Sequence, residues 1–288
     1  MSPDIKKLEP KDFPELLKEI DDPPSTLYLK GRMPPKGSLL LCVVGSRKSG
    51  EYGRKACSKI IEGLAGHRVA IVSGLALGID SFAHRSALKA GIPTIAVPGS
   101  GLDKRVLYPR GHRGLADDIV RSGGALLSEF EPDFKATKWS FPKRNRIMAG
   151  MSHGVLVIEA EERSGTLITA RLGLEYNREV CAVPGPIFSS CSSGTNRLIQ
   201  QGAYPITSAD DIRELFNLKM TKTEKGTVVK GLSKGEIAVI ELITAPIGKN
   251  EVIEKSGMTA SETNVLLSLL ELKGLISESN GIIYPEKS

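Results

Sequence analysis

Apolar runs and helical periodicities alternate along the first three-quarters of the chain. Residues 39–45 (LLLCVVG) form an unbroken apolar run ending in glycine, the pattern of a strand buried on both faces. Residues 51–65 then place Ala56, Ile60, Ile61 and Leu64 on one side, which predicts a helix. The strand signal returns at 69–74, 94–99, 125–128, 155–160 and 180–185. Helical patterns near 80–90, 112–122, 142–152 and 165–178 fall between most of these segments. Strands joined through helices need right-handed crossovers, so the pattern predicts an α/β fold with a mostly parallel sheet covered on both faces. Residues 1–37 read as a short extension packed on this core rather than a domain of their own.

The pattern changes near the C-terminus. Residues 220–231 (MTKTEKGTVVKG) are polar with few large side chains and read as a linker between a domain at 38–219 and a smaller one at 232–288. In the smaller domain, helical patterns run over 234–243, 250–256 and 261–273. Ser261 is the expected N-cap of the third, which carries Val265, Leu266, Leu269, Leu270 and Leu272. Residues 275–284 follow as a hairpin turning at Asn280-Gly281. Three helices and a hairpin predict a winged-helix domain.

Composition narrows the class. The 288 residues are 40% hydrophobic and 25% charged, which excludes disordered and fibrous chains. The longest apolar run is far short of a bilayer span and the first residues carry mixed charge, so no membrane span and a cytoplasmic location are expected. The four cysteines are scattered without a CxxC pair and read as reduced thiols. Net charge is +6, divided as −3 over residues 232–288 and +9 over the remainder. The basic excess of the larger domain favours a polyanionic partner. The third helix of the smaller domain offers only Lys273 against Glu262 and Glu271, which argues against insertion into a DNA groove and toward a protein partner or a regulatory role.

In an open parallel sheet, ligands collect beyond the carboxyl ends of the strands. Those ends read Gly45-Ser46-Arg47, Ser73-Gly74, Pro98-Gly99-Ser100-Gly101, 159–166 and Pro184-Gly185. Glycine serves βα turns of any function, but five such turns on one rim, with Arg47 in the first, predict a phosphate-binding edge. Enzyme motifs fail there. Gly45 to Gly50 has the glycine spacing of a P-loop, but Glu51 and Tyr52 stand where Lys and Ser or Thr are needed. Gly99-Ser100-Gly101 does not complete a dinucleotide fingerprint, and His67, His84, His112 and His153 are isolated. No catalytic residue, metal site or cofactor is expected. The most informative segment is 135–150 (KATKWSFPKRNRIMAG), with Lys135, Lys138, Lys143, Arg144 and Arg146, no acid, and Trp139 and Phe141 interleaved. Cations neutralise phosphates and aromatic faces stack on unpaired bases, so this mixture suits single-stranded nucleic acid better than duplex. Lys104, Arg105, Arg110 and Arg113 form a second acid-free cluster.

These residues in this order resemble the DNA-processing protein A (DprA, or Smf) family. The resemblance is carried by Val44-Gly45-Ser46-Arg47, by Ser73 to Asp80 (SGLALGID), by Gly99-Ser100-Gly101-Leu102-Asp103 before Tyr108-Pro109, and by Ser128-Glu129. It continues through Phe141 to Arg146 (FPKRNR), Ser164 to Ala170 (SGTLITA), and Pro184-Gly185 with Asn196. It implies an extended Rossmann-like domain that binds single-stranded DNA, forms a homodimer, shields incoming strands and loads the RecA recombinase in natural transformation. Carried over by motif, Gly45, Ser46 and Arg47 would meet DNA phosphate. Lys138 would be a phosphate contact and Phe141 a base-stacking platform. Gly74, Lys143, Arg144, Asn145 and Arg146 would line the same groove, with Ser164, Gly165 and Thr166 on its far side. His112 and Gly173 depart from the family pattern, which favours Asn and Ala there. The competing reading is a nucleotide-binding phosphoribohydrolase-like enzyme, with Ser164-Gly165-Thr166 and Glu175 as a degenerate site. A weaker one is a transcription regulator acting through the winged helix.

Overall fold

The computed structural model describes residues 5–218, 232–243 and 245–285; the expected linker at 220–231 lies outside them. The chain divides into two compact units, Met1–Thr221 and Lys222–Ser288. In the larger unit the strands are β1 (Lys6–Leu8), β2 (Leu27–Gly31), β3 (Leu39–Val44), β4 (Val69–Ser73), β5 (Thr94–Ala96), β6 (Ala125–Ser128), β7 (Gly154–Val157), β8 (Glu179–Ala182) and β9 (Tyr204–Pro205). Its helices are α1 (Glu15–Lys18), α2 (Glu51–Glu62), α3 (Ile79–Lys89), α4 (Arg113–Arg121), α5 (Ser140–Met151), α6 (Thr166–Glu175), α7 (Ser190–Gln200) and α8 (Ala209–Leu215).

The nine strands form one sheet in the order β1-β2-β6-β5-β4-β3-β7-β8-β9. From β6 to β9 every neighbouring pair is parallel, in registers such as Leu41↔Ile71 and Val43↔Leu156. Alternate residues of β3 feed opposite cores. Leu40, Cys42 and Val44 pack with Ile147, Met148 and Ala170, while Leu41 and Val43 pack with Ile60, Ile61, Ile79 and Ala83. That two-sided burial is why β3 is apolar at every position. Successive crossovers carry the chain from β3 outward through β4, β5 and β6, then back across to β7 on the other side of β3. Order reverses between β3 and β7, and a crevice opens beyond their carboxyl ends.

The N-terminal extension does more than cap. Strand β2 pairs antiparallel with β6, matching Tyr28 to Ser128, and β1 continues the sheet beyond it. Leu17 and Ile20 are buried and lie against Gly150 of α5. The expected strand at 94–99 ends at Ala96 and that at 155–160 ends at Val157, where the chain leaves the sheet for the rim.

The smaller unit contains α9 (Lys234–Leu242), β10 (Ile247–Gly248), α10 (Lys249–Ser256), α11 (Ala260–Leu272), β11 (Ile276–Ser279) and β12 (Ile282–Pro285). Its sheet order is β10-β12-β11, antiparallel throughout. Val239, Ile243, Val252, Leu267, Leu270, Ile276 and Ile283 make its core. Asn280 and Gly281 both have positive φ (52° and 73°), the geometry a two-residue hairpin turn requires. The cap of α11 is Thr259 rather than Ser261. A capping box pairs the cap with the residue three positions on, and Thr259 with Glu262 has that spacing.

Candidate functional site

A cleft of about 650 Å³ occupies the crevice beyond β3 and β7. Gly45, Ser46, Arg47 and Lys48 line it from the loop after β3, and Glu161, Ser164, Gly165 and Thr166 from the loop after β7. Lys138, Phe141, Arg144 and Asn145 line it from the start of α5. Arg47, Lys48 and Lys138 are exposed cations; Glu161, on the loop after β7, is an exposed acid.

Phe141 owes its place to a buried hydroxyl. Ser140 donates to the Gly99 carbonyl at 2.6 Å and accepts from the Thr137 N–H at 3.0 Å, which fixes the first turn of α5. The Phe141 ring then lies over Gly99, where a Cβ would stand 2.6 Å from a ring carbon. Tyr108 tilts against the ring at 5.6 Å. The Arg47 guanidinium carbon sits 5.3 Å from its centroid. A smaller pocket lined by Leu77, Tyr108 and Gly74 also borders the ring.

The Arg47 loop is tied at both ends by Glu159. Its backbone carbonyl accepts the Ser46 N–H at 2.8 Å. Its carboxylate, 3% exposed, accepts the Gly50 and Gly53 N–H groups at 2.9 and 3.1 Å. The amino end of α2 is thus satisfied by the protein's own carboxylate. An anion seated there, as in a P-loop, would meet that negative charge, so the glycine spacing of 45–50 does not make a nucleotide site.

Beneath the cleft lie two buried opposite charges, Asp80 and Arg144, 5% and 4% exposed, coupled through space and each bonded to the backbone between strands and helix rather than to the other. Asp80 accepts the Gly74 N–H at 3.0 Å and the Ala76 N–H at 3.4 Å. Arg144 donates to the Gly74 carbonyl at 2.5 Å, to the Val97 carbonyl, and to Asn145 Oδ1 at 3.0 Å. Burial pushes the Asp80 carboxyl up, and the Arg144 charge pulls it back. Gly74 is glycine because a Cβ would stand 2.1 Å from the guanidinium. Next to Gly74, Leu75 holds a positive φ of 59°, its carbonyl accepting from His112 Nδ1 at 2.8 Å. His112, one departure from the family pattern, is therefore a support of this floor.

Arg144 lines the cleft as expected, with its Nε and Nη1 bonded into the floor. Several other expected positions are corrected. Arg146 and Lys143 lie outside the cleft. Arg146 is buried, donating to Glu129 at 2.5 Å and to the Asp22 carbonyl of the extension, and Lys143 lies 3.4 Å from the same Glu129. At about 100° per residue, Phe141 and Asn145 share a helix face while Lys143 and Arg146 turn away from it. Gly74 borders the smaller pocket, not the main cleft. The second basic cluster is paired in part. Lys104 pairs with Asp117 and Arg105 with Asp103, both at 2.7 Å, and Arg113 donates to the Arg105 carbonyl. Glu175 is absent from the cleft lining, at the exposed end of α6, paired with Arg171 at 3.0 Å. Lys48, Glu161 and Asp80 are cleft residues that the sequence reading did not assign. Lys48 was adjacent to Arg47, but nothing local marked Asp80 as a buried charge in the field of a distant arginine.

Residues 5–217 match the family model of DNA recombination-mediator protein A. The chain belongs to that family. It is 39% identical to protein Smf of Escherichia coli over 277 residues, 93% of this chain and 74% of that one. It is 44% identical to DNA processing protein DprA of Streptococcus pneumoniae over 204 residues, 71% of each. The X-ray structure of the S. pneumoniae protein superposes with a TM-score of 0.67 at 40% identity, covering 75% of both chains. DNA processing protein A of Helicobacter pylori, whose structure is described in terms of a unique single-stranded DNA binding mode, superposes at 0.65 with 28% identity, covering 75% of this chain and 98% of that one. The recombination-mediator match spans the unit that holds the cleft. Among the described residues, no helix is long and apolar enough to cross a membrane.

Proposed function

We propose that this protein binds single-stranded DNA in the cleft between β3 and β7, as a mediator that performs no chemistry on the strand. The observation that carries this reading is the convergence of Arg47, Lys138 and the Phe141 ring on one cleft. Exposed cations meet phosphates, and the ring offers a face to a base only when that base is unstacked, as in a single strand. Ser46, Gly45, Asn145 and the 164–166 loop complete the walls. Arg144 acts through the floor, and Lys143 and Arg146 through the seating of α5. Protection of incoming DNA, delivery to the RecA recombinase and a homodimer as the working form belong to the same proposal, supported by the family relationship. The unit at 232–288, as a winged helix with an acidic third helix, suits a protein partner.

The test is fluorescence anisotropy of a labelled oligothymidylate over a salt series. Three exposed cations neutralising three phosphates give a slope of log affinity against log salt of about −2. A slope near zero would overturn the reading. So would release of free base from nucleoside monophosphates, the product of a phosphoribohydrolase.

A further inference from the structure

Trp139, the only tryptophan of the chain, is 55% exposed and does not line the cleft. It precedes α5 in helical conformation, φ −79° and ψ −23°. Phe141 is two positions on, so the two rings leave on opposite sides of a helix about 10–12 Å across. The indole is held edge-on by Phe130 and Phe134, at 5.6 and 5.5 Å, and these stack on each other at 4.5 Å. Such contacts orient the ring and leave much of it open.

The surroundings are cationic. Lys143 Nζ is 5.9 Å from the Trp139 centroid. Lys143 shares Glu129 with Arg146, at 3.4 and 2.5 Å, so one carboxylate stands against two cations there. Lys138, exposed, stands beside Trp139 in sequence and lines the cleft. Of the acids on the adjoining loop, Glu131 accepts the Tyr28 hydroxyl at 2.6 Å, and Asp133 lies in the field of Arg105. A large aromatic face flanked by lysines fits an unpaired base with its phosphate.

We propose, building on the single-strand reading of the cleft, that Trp139 is a second base-stacking station outside it. One strand then runs from Phe141 across the amino end of α5, past Lys138, and onto the indole. Duplex DNA, with its bases already stacked, uses neither ring.

Because Trp139 is the sole indole, the emission of the unaltered full chain reports on this contact. The chain is titrated with oligothymidylate and with an abasic phosphodiester of equal length. The expected result is quenching and protection from acrylamide with oligothymidylate, saturating together with anisotropy, and neither effect with the abasic strand. Trp139→Ala should weaken oligothymidylate binding about 5- to 150-fold, the equivalent of about 1–3 kcal/mol for one stacked base, and Trp139→Phe should keep most of the affinity. Unchanged emission at saturating oligothymidylate, or an equal change with the abasic strand, overturns the proposal. Lys138→Ala and Phe141→Ala separate the two readings. If they weaken binding while the indole stays silent, only the second station falls; if they leave binding unchanged, the cleft falls with it.

Discussion

Asp80→Asn removes one charge beneath the cleft and almost nothing else. The amide keeps the shape and an acceptor for the Gly74 and Ala76 N–H groups. What it takes away is the counter-charge for Arg144, which is 4% exposed and cannot shed its proton. Stranding one member of a buried pair in direct contact costs about 3–5 kcal/mol, which bounds from above the cost for two charges coupled across the floor. For a domain of this size each kcal/mol is worth about 2–4 °C, so the midpoint should fall by more than about 2 °C and by at most about 20 °C. The assay is thermal unfolding of the full chain at pH 7, followed by far-ultraviolet circular dichroism. Asp103→Asn is the control. Its partner Arg105 is exposed, and an exposed pair contributes little to stability. A fall in Asp80→Asn below about 2 °C, or one equal to that of Asp103→Asn, would refute the account of the floor.

Arg47→Ala should weaken single-strand binding by about 1–3 kcal/mol for every base sequence and flatten the salt slope by about 0.7, measured by anisotropy. Glu159→Gln should lower stability by about 1–2 kcal/mol, read as a lower midpoint, because the amide lacks the charge that faces the amino end of α2. His84 is fully buried, and burial pushes its imidazole down to about 3. A folded value below the ordinary one near 6.5 means its contribution is complete above pH 6.5 and lost as pH falls toward 3. At about 1.4 kcal/mol per pH unit, roughly 2 kcal/mol is lost by pH 5. His84→Gln should lose less between pH 7 and 5 than the parent chain in thermal unfolding. His153, lowered by burial in the same sense, stays in both chains and leaves a common residual slope.

The parallel sheet was legible because β3 is apolar at all six positions, which only two-sided burial explains. Strand β2 was not, since a five-residue LYLKG segment after a proline pair carries too short a pattern to separate a strand from a packed loop. Helix α7 was hidden by its polar first turns, SCSSGTN, whose small residues pack against the loop after β7 rather than form an apolar stripe. At the site, Arg47 and the basic, aromatic run that holds Lys138 and Phe141 were legible from residue type, and the choice of those two within the run came with the family resemblance. The basic run at 143–146 misled because a helix spreads consecutive residues around its axis, sending Lys143 and Arg146 to Glu129. The glycine turns were read as phosphate cradles, but Gly74 and Gly99 are small to clear Arg144 and Phe141. The cluster at 104–113 looked unopposed until Asp117, on the following helix, came within 2.7 Å of Lys104. Pairings over such separations follow from the fold, not from local pattern.

The central claim is that the cleft takes an unpaired strand, and competition tests it most directly. Labelled oligothymidylate bound to the full chain is challenged with unlabelled single-stranded DNA of mixed sequence and with its own duplex at equal phosphate concentration. The account predicts displacement by the single strand at submicromolar concentration and a clearly weaker effect of the duplex. Equal displacement by the two would contradict it.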